Sequence, residues 1–182
     1  PQKGGRLRLG WYNHSASDTL NPNRLTSSLD FQRAYQTMGT LVRYNPDLSL
    51  APDLATEWSS NADGTVWTFV LREGVEFHNG KTLDAADVVY SINRHRGDDS
   101  DSVIKAWLEP ITDVKADGNT VVITLDSPNG DLPFYLGDMH ACVVPDGFTD
   151  FNNCIGTGPY KIESFEPGVG MLASRNANYY RD

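Results

Sequence analysis

Residues 51–91 read APDLATEWSSNADGTVWTFVLREGVEFHNGKTLDAADVVYS. Trp67, Phe69 and Leu71 alternate there with Val66, Thr68 and Val70, the two-residue period of a strand with one face buried. Glu57-Trp58-Ser59 stands before them across Asn61-Ala62-Asp63-Gly64, and Asp63-Gly64 supplies the positive φ that a tight hairpin needs. Asn79-Gly80 is a second turn of that chemistry. A helix start follows: Asp84 can cap, Asp87 lies three residues on in the favourable first turn, and Val88, Val89 and Ile92 form an apolar stripe.

The hairpin pattern recurs downstream, where residues 114–116, the Asp117-Gly118 turn, and Val121, Ile123 and Leu125 repeat it. A short helix over residues 103–108 puts Ile104 and Leu108 on one side. Two more strands, residues 160–165 and 171–175, flank Pro167-Gly168. Upstream, Leu7, Leu9 and Trp11 alternate in a predicted first strand over residues 6–11. Residues 13–28 are polar and contain Asn21-Pro22, so they read as a loop over that strand's end. Phe31, Ala34, Tyr35, Met38, Leu41 and Val42 keep helical spacing with Ser28 as the predicted cap, and Asn45-Pro46-Asp47 closes the region. Strands and helices mix without strict βαβ alternation, so the predicted class is α+β, or irregular α/β. There is no internal repeat, low-complexity segment or long linker.

The whole-chain numbers fit this reading. A length of 182 residues supports one hydrophobic core, or one core with a smaller satellite. With 39% hydrophobic and 21% charged residues, the composition is that of a globular chain, not a disordered one. No apolar run approaches the roughly 20 residues of a membrane span. The net charge of −9, with Lys and Arg scattered, argues against a nucleic-acid partner. Two cysteines, Cys142 and Cys154, have no metal-motif spacing. They could close one small loop as a disulfide in an oxidising compartment, or stand as two buried thiols acting as small hydrophobes.

Residues 51–91, taken as Ala51-Pro52-Asp53-Leu54-Ala55-Thr56-Glu57-Trp58, Asp63-Gly64, Trp67-Thr68-Phe69, Leu71-Arg72-Glu73-Gly74-Val75, Phe77 to Leu83 and Ala86 to Ser91, resemble the signature block of the family 5 bacterial solute-binding proteins. Leu20-Asn21-Pro22 with Leu41-Val42-Arg43-Tyr44 is similar to that family's opening segment. Gly156-Thr157-Gly158-Pro159-Tyr160, Arg175-Asn176 and Tyr179-Tyr180 resemble its later strand-turn-strand element. The resemblance implies part of a two-lobed periplasmic binding protein fold with an extra inserted domain. Residues 1–44 would be the first part of lobe I, 45–150 the inserted hairpin-rich domain and 151–182 the return into lobe I, the second ligand-closing lobe being absent from this fragment.

The implied function is that of a receptor for an ABC importer. It would capture a small polar solute, peptide or amino-acid-like as first choice, outside the cytoplasmic membrane and deliver it to the permease. A metal chelate, an opine or an oligosaccharide is the alternative ligand. The resemblance places the protein in the periplasm or another extracytoplasmic site. Residues 1–5 contain no apolar signal core, so export implies a signal removed before residue 1, with a lipid anchor in the precursor as one form of the expectation. The full-length protein is expected to be monomeric, with neither cofactor nor nucleic acid.

The predicted ligand-binding residues come from that resemblance. They are Tyr12, Asn13, His14 and Ser15 after the first strand, Trp107 as an aromatic wall, and Asp138, Met139 and His140 at the cleft border. Ser27, Ser28, Leu29 and Asp30 are neighbouring candidates. Trp107 offers a stacking face, Met139 an adaptable apolar wall, and His14, Asp138 and His140 could anchor charged ends. Each has a plainer reading: the histidines as surface or supporting residues, Asp138 as a cap or turn. Trp58, Trp67, Phe69 and Phe77 read as core. Gly156-Thr157-Gly158 is a turn and not a phosphate cradle, because Pro159 and a strand follow it. A hydrolase built on Ser, His and Asp finds no G-x-S-x-G or HExxH, and His14, His78 and His140 fit no zinc spacing. A permease-docking module is the third class, and binding of the permease irrespective of ligand would distinguish it.

Overall fold

The computed structural model describes residues 4–181. Its centre is an antiparallel four-stranded sheet made of β3 (Ala55–Ser60), β4 (Val66–Leu71), β5 (Ile111–Asp117) and β6 (Thr120–Leu125), in the order β3-β4-β6-β5. Both predicted hairpins are present: β3 pairs β4 and β5 pairs β6, and the sheet closes by pairing β4 with β6. In that register Trp67 faces Ile123 and Phe69 faces Val121, all four buried on one face. Cross-strand apolar pairs of this kind are the unit that stabilises a sheet.

Helix α2 (Ala85–Asn93) covers the same face. Asp84 caps it in a full capping box with Asp87, and Val88 and Ile92 are buried beneath it. α3 (Lys105–Leu108) and α4 (Leu132–Tyr135) are single turns that lock Ile104, Leu108 and Leu132 into the same core.

A second apolar cluster joins distant parts of the chain. It holds Leu20, Leu25, Ala34, Met38, Met139, Cys142 and Cys154, with Ile162, Phe165 and Met171 packed against it. Its elements are α1 (Ser28–Thr37), the 3-10 turns Pro22–Arg24 and Met139–Ala141, and the hairpin of β7 (Tyr160–Glu166) and β8 (Gly170–Arg175). Cys142 and Cys154 are buried within it as separate thiols. No helix among the described residues is long and apolar enough to cross a membrane.

Two predicted elements are corrected. Residues 6–11 form no strand; Leu7 and Leu9 are 78% and 73% exposed. Alternation makes a strand only where a neighbour accepts its amides and covers its apolar face, and no strand among the described residues does so. Helix α1 stops at Thr37 and its cap is Ser27, not Ser28. Leu41 lies beyond the helix and Val42 opens β1 (Val42–Tyr44), which pairs with β2 (Leu50–Pro52) around the 45–49 turn. The break falls at Gly39, where a Cβ would lie 2.5 Å from Thr157 Oγ1.

Candidate functional site

The predicted residues separate into two groups. Trp107, Asp138, Met139 and His140 come together where α3, α4 and the Met139–Ala141 turn meet α1. Tyr12, Asn13, His14 and Ser15 lie elsewhere. Their ties run to the start of α1, through the Trp11 indole on Ser28 Oγ (3.4 Å), and to the β7–β8 turn, where Gly168 abuts Ser15. Tyr12 is 68% exposed and stacks on Trp11. No hydrogen bond or ring contact among the described residues joins this segment to Trp107 or His140.

His140 is the centre of the first group. Its ring is buried, with Nδ1 2.5 Å from Asp138 Oδ1 and Nε2 2.8 Å from the Leu25 carbonyl. Both nitrogens face acceptors, so the imidazole satisfies both only with two protons. Burial opposes that charge, but the Asp138 carboxylate and the Leu25 carbonyl hold the group above the ordinary imidazole value. Its faces and edges are packed as well: Phe31 meets it edge-on at 5.0 Å and Trp107 at 6.4 Å. The prediction that His140 anchors a ligand is therefore corrected. It has no free donor, and it props the residues that do face outward.

Met139 is also corrected. Its side chain is 5% exposed and belongs to the second apolar cluster, so it cannot serve as a wall open to ligand. The turn geometry explains this, because Asp138 caps the 3-10 turn through the His140 amide and rolls Met139 inward. Ser27 and Asp30 are likewise structural: they form the α1 capping box, and Asp30 is buried.

What remains outward is aromatic and acidic. Trp107 is 43% exposed and rests on Tyr135 at 5.8 Å. Asp138 is partly open; burial opposes its charge, but its bonds from His140 keep the carboxyl below the usual range. Tyr35 and Tyr44 lie close enough to feel that charge. Burial first and then Asp138 push the Tyr44 phenol up to about 12 and Tyr35 in the same direction. Phe134, exposed, stacks with Tyr44 at 6.4 Å. Tyr35, Tyr44, Phe134 and Tyr135 were missed from sequence. Tyr35 sits in the α1 pattern read as core, yet it points outward, and the single-turn helix carrying Phe134 and Tyr135 is too short to leave a period.

An open groove of about 460 Å³ beside α3 is lined by Arg96, Asp98, Ser102, Lys105 and Glu109, and contains no predicted residue. Its cations are already engaged, Arg96 on Asn93 and the Ile111 carbonyl, Lys105 on the Asp98 carbonyl.

Behind the site lies His95, 1% exposed, with Nδ1 2.7 Å from Ser102 Oγ and Nε2 unpartnered. Burial, then the nearby Arg94 charge, lower its pKa to about 3. His78 is lowered too, chiefly by burial, with its ring set between the Gly156 amide and the Gly158 carbonyl. Groups held neutral in the fold but protonated at about 6.5 when unfolded give stability that is whole above that pH and falls below it. His140 has the opposite sign: its contribution is full below about 6.5 and is lost as pH rises through its raised value. Denaturant melts from pH 6.5 to 4.5 should therefore show stability falling by up to about 1.4 kcal/mol per pH unit for each such histidine, and His95→Gln should flatten the slope. An unchanged slope in that variant would show that His95 is not the buried neutral group.

The fold is that of one part of a periplasmic binding protein. A structure of the periplasmic binding protein AgaA from A. tumefaciens R10, in complex with agropinic acid, superposes with a TM-score of 0.86 at 25% identity, over 92% of this chain and 35% of that one. The family model for bacterial extracellular solute-binding proteins, family 5, matches residues 49–182, and the chain belongs to that family. The nickel-binding periplasmic protein of Escherichia coli K12 is 32% identical over 88% of this chain and 32% of its own length. The transcriptional regulator SgrR of Yersinia pestis is 32% identical over 86% of this chain and 30% of its own. The chain thus spans about a third of the length of these curated relatives. The family is described as one of extracellular solute-binding proteins, and a further relative, 29% identical over 95% of this chain and 33% of its own length, is a probable peptide ABC transporter periplasmic-binding protein of Sinorhizobium fredii.

Proposed function

We propose that this chain forms one wall of the solute site of an extracytoplasmic receptor for an ABC importer. The observation that carries the reading is Trp107: a large, half-open ring braced from behind by Tyr135 and by a fully engaged His140, beside an ionised carboxylate. An indole held in this way offers a stacking surface with little entropy left to lose on binding. Tyr12 to Ser15 would serve the same cleft from its other end.

Residues 1–44 and 151–182 belong to one lobe in this reading, and 45–150 to the inserted domain. The two apolar clusters support that division, since the second draws mainly on the chain's two ends and the first on its middle. An opposing lobe closes over the solute by a hinge motion, driven by contacts that exist only when both lobes touch it. A small polar ligand, peptide or amino-acid-like first, then goes to the permease; a metal chelate, an opine or an oligosaccharide is the alternative. Mass spectrometry of the intact protein, purified natively and then denatured, should release one small polar solute near one equivalent. Turnover of that solute on prolonged incubation, in place of its retention, would overturn the reading.

A further inference from the structure

The chemistry of the Trp107 face selects one kind of group. Asp138 Oδ1 is used twice, by the His140 amide at 2.9 Å and by His140 Nδ1 at 2.5 Å. Its other oxygen, Oδ2, has no hydrogen-bond partner among the described residues and is not sealed from solvent. No lysine or arginine among the described residues pairs with this carboxylate, and the charge beside it is that of His140.

The same face carries the rings of Tyr35, Tyr44, Phe134, Tyr135 and Trp107: Tyr35 and Tyr44 feel the Asp138 charge, the Asp138 amide donates to the Tyr135 carbonyl at 3.3 Å, and Tyr35, Phe134 and Trp107 are each more than 40% exposed. An anion would meet the Asp138 charge, with both His140 nitrogens spent and the Tyr44 hydroxyl donating to the Phe134 carbonyl. A neutral polar group could bond the free oxygen but would gain less from the ring faces. A cationic nitrogen satisfies both features, since ring faces and a carboxylate attract it together.

We propose that Asp138 Oδ2 and the surrounding rings are a subsite for a cationic nitrogen of the ligand, an ammonium or guanidinium group. The assignment rests on the reading of this face as the solute-binding wall, and it narrows the ligand to a molecule bearing positive charge at one end. Asp138 is the specificity-determining residue. His140 is a positioning residue: its two N–H groups fix the carboxylate and leave one oxygen outward. The net charge of −9 favours the approach of such a ligand.

The test uses two probes of equal shape, tert-butylammonium and tert-butyl alcohol, titrated into the intact protein with the Trp107 indole ¹H–¹⁵N resonance as readout. The ammonium should give a saturable shift with about tenfold higher affinity than the alcohol, as a carboxylate joined to cation–π contact implies. Asp138→Asn, which keeps the amide cap, should erase that preference, and Tyr35→Leu, on an exposed ring, should weaken it about threefold at an unchanged melting temperature. Equal response to both probes, or a preference that survives Asp138→Asn in a folded protein, would overturn the subsite. The probes need no knowledge of the natural solute. If the ammonium binds as expected while no solute is retained natively, it is the receptor reading that fails; if a solute is retained and the ammonium preference is absent, it is the subsite that fails.

Discussion

Gly156→Ala is expected to destabilise the protein by about 3 kcal/mol or more, at the upper end of what overpacking costs. A Cβ at Gly156 would lie 2.1 Å from the Thr37 carbonyl oxygen and 2.9 Å from the Met38 Cα. Both are backbone atoms at the end of α1, so no side chain can rotate away. Nor can the loop retreat cheaply. The Gly156 carbonyl accepts from the His78 amide at 2.9 Å, and the Gly158 amide donates to the Thr37 carbonyl at 3.1 Å. This contact docks the loop before β7 onto the helix that carries Phe31 and Tyr35 to the site. Denaturant melts of Gly156→Ala beside Gly170→Ala provide the check, because nothing lies within 4 Å of a Cβ at Gly170. A Gly156→Ala cost no greater than that of Gly170→Ala would contradict the packing described.

Arg33→Leu should cost about 3–5 kcal/mol, the range for removing one partner from a buried ionic group. The Arg33 guanidinium reaches Asp18 at 3.0 Å and Asp30 at 3.3 Å, with all three side chains almost fully buried. It also lies over the Phe165 ring at 5.0 Å, tying α1 to β7. Leucine would leave two carboxylates in an apolar setting with no counter-charge. Asp18 would keep only the Ser15 and Gly168 amides, which together with Arg33 hold its carboxyl low against burial. Asp30 keeps the amides of Thr19 and Ser27. Adding Asp18→Asn to Arg33→Leu should thus recover part of the loss, as urea melts would register. A single variant as stable as the parent would mean that the cluster contributes little.

Much of the fold could be read from sequence because its signals are local. Asp63-Gly64 and Asp117-Gly118 mark hairpins by backbone chemistry, and Asp84 with Asp87 marks a helix start; the structure holds all three. Period-two burial in residues 66–71 fixed which face goes inward. The pairing of β4 with β6 was not legible, since it joins strands separated by about fifty residues and no turn between them specifies it. The same limit explains residues 6–11, whose alternation describes a face without saying what covers it.

The site was legible only in part, for a related reason. Trp107 and Asp138 were named through family resemblance alone, and that His140 contacts both is a tertiary fact. His140 and Met139 sit beside them in sequence, but the 3-10 turn sends one ring into a buried ion pair and the other side chain into the core. Residue type said what each could bond; only the turn decided which was free to do so. Tyr35 shows the converse, a ring in an apolar pattern that the helix presents outward at 50% exposure.

The most direct measurement is calorimetry of the co-purified solute with the intact protein and two variants, Trp107→Ala and Trp58→Phe. Trp58 is partly buried on the edge strand β3, away from the aromatic face, and serves as the control. If Trp107 forms the ligand wall, its removal weakens binding at least tenfold, whereas Trp58→Phe leaves affinity within about twofold, as expected when one central aromatic anchor carries much of the contact. Unchanged affinity in a folded Trp107→Ala protein would contradict the placement of the solute site on this face.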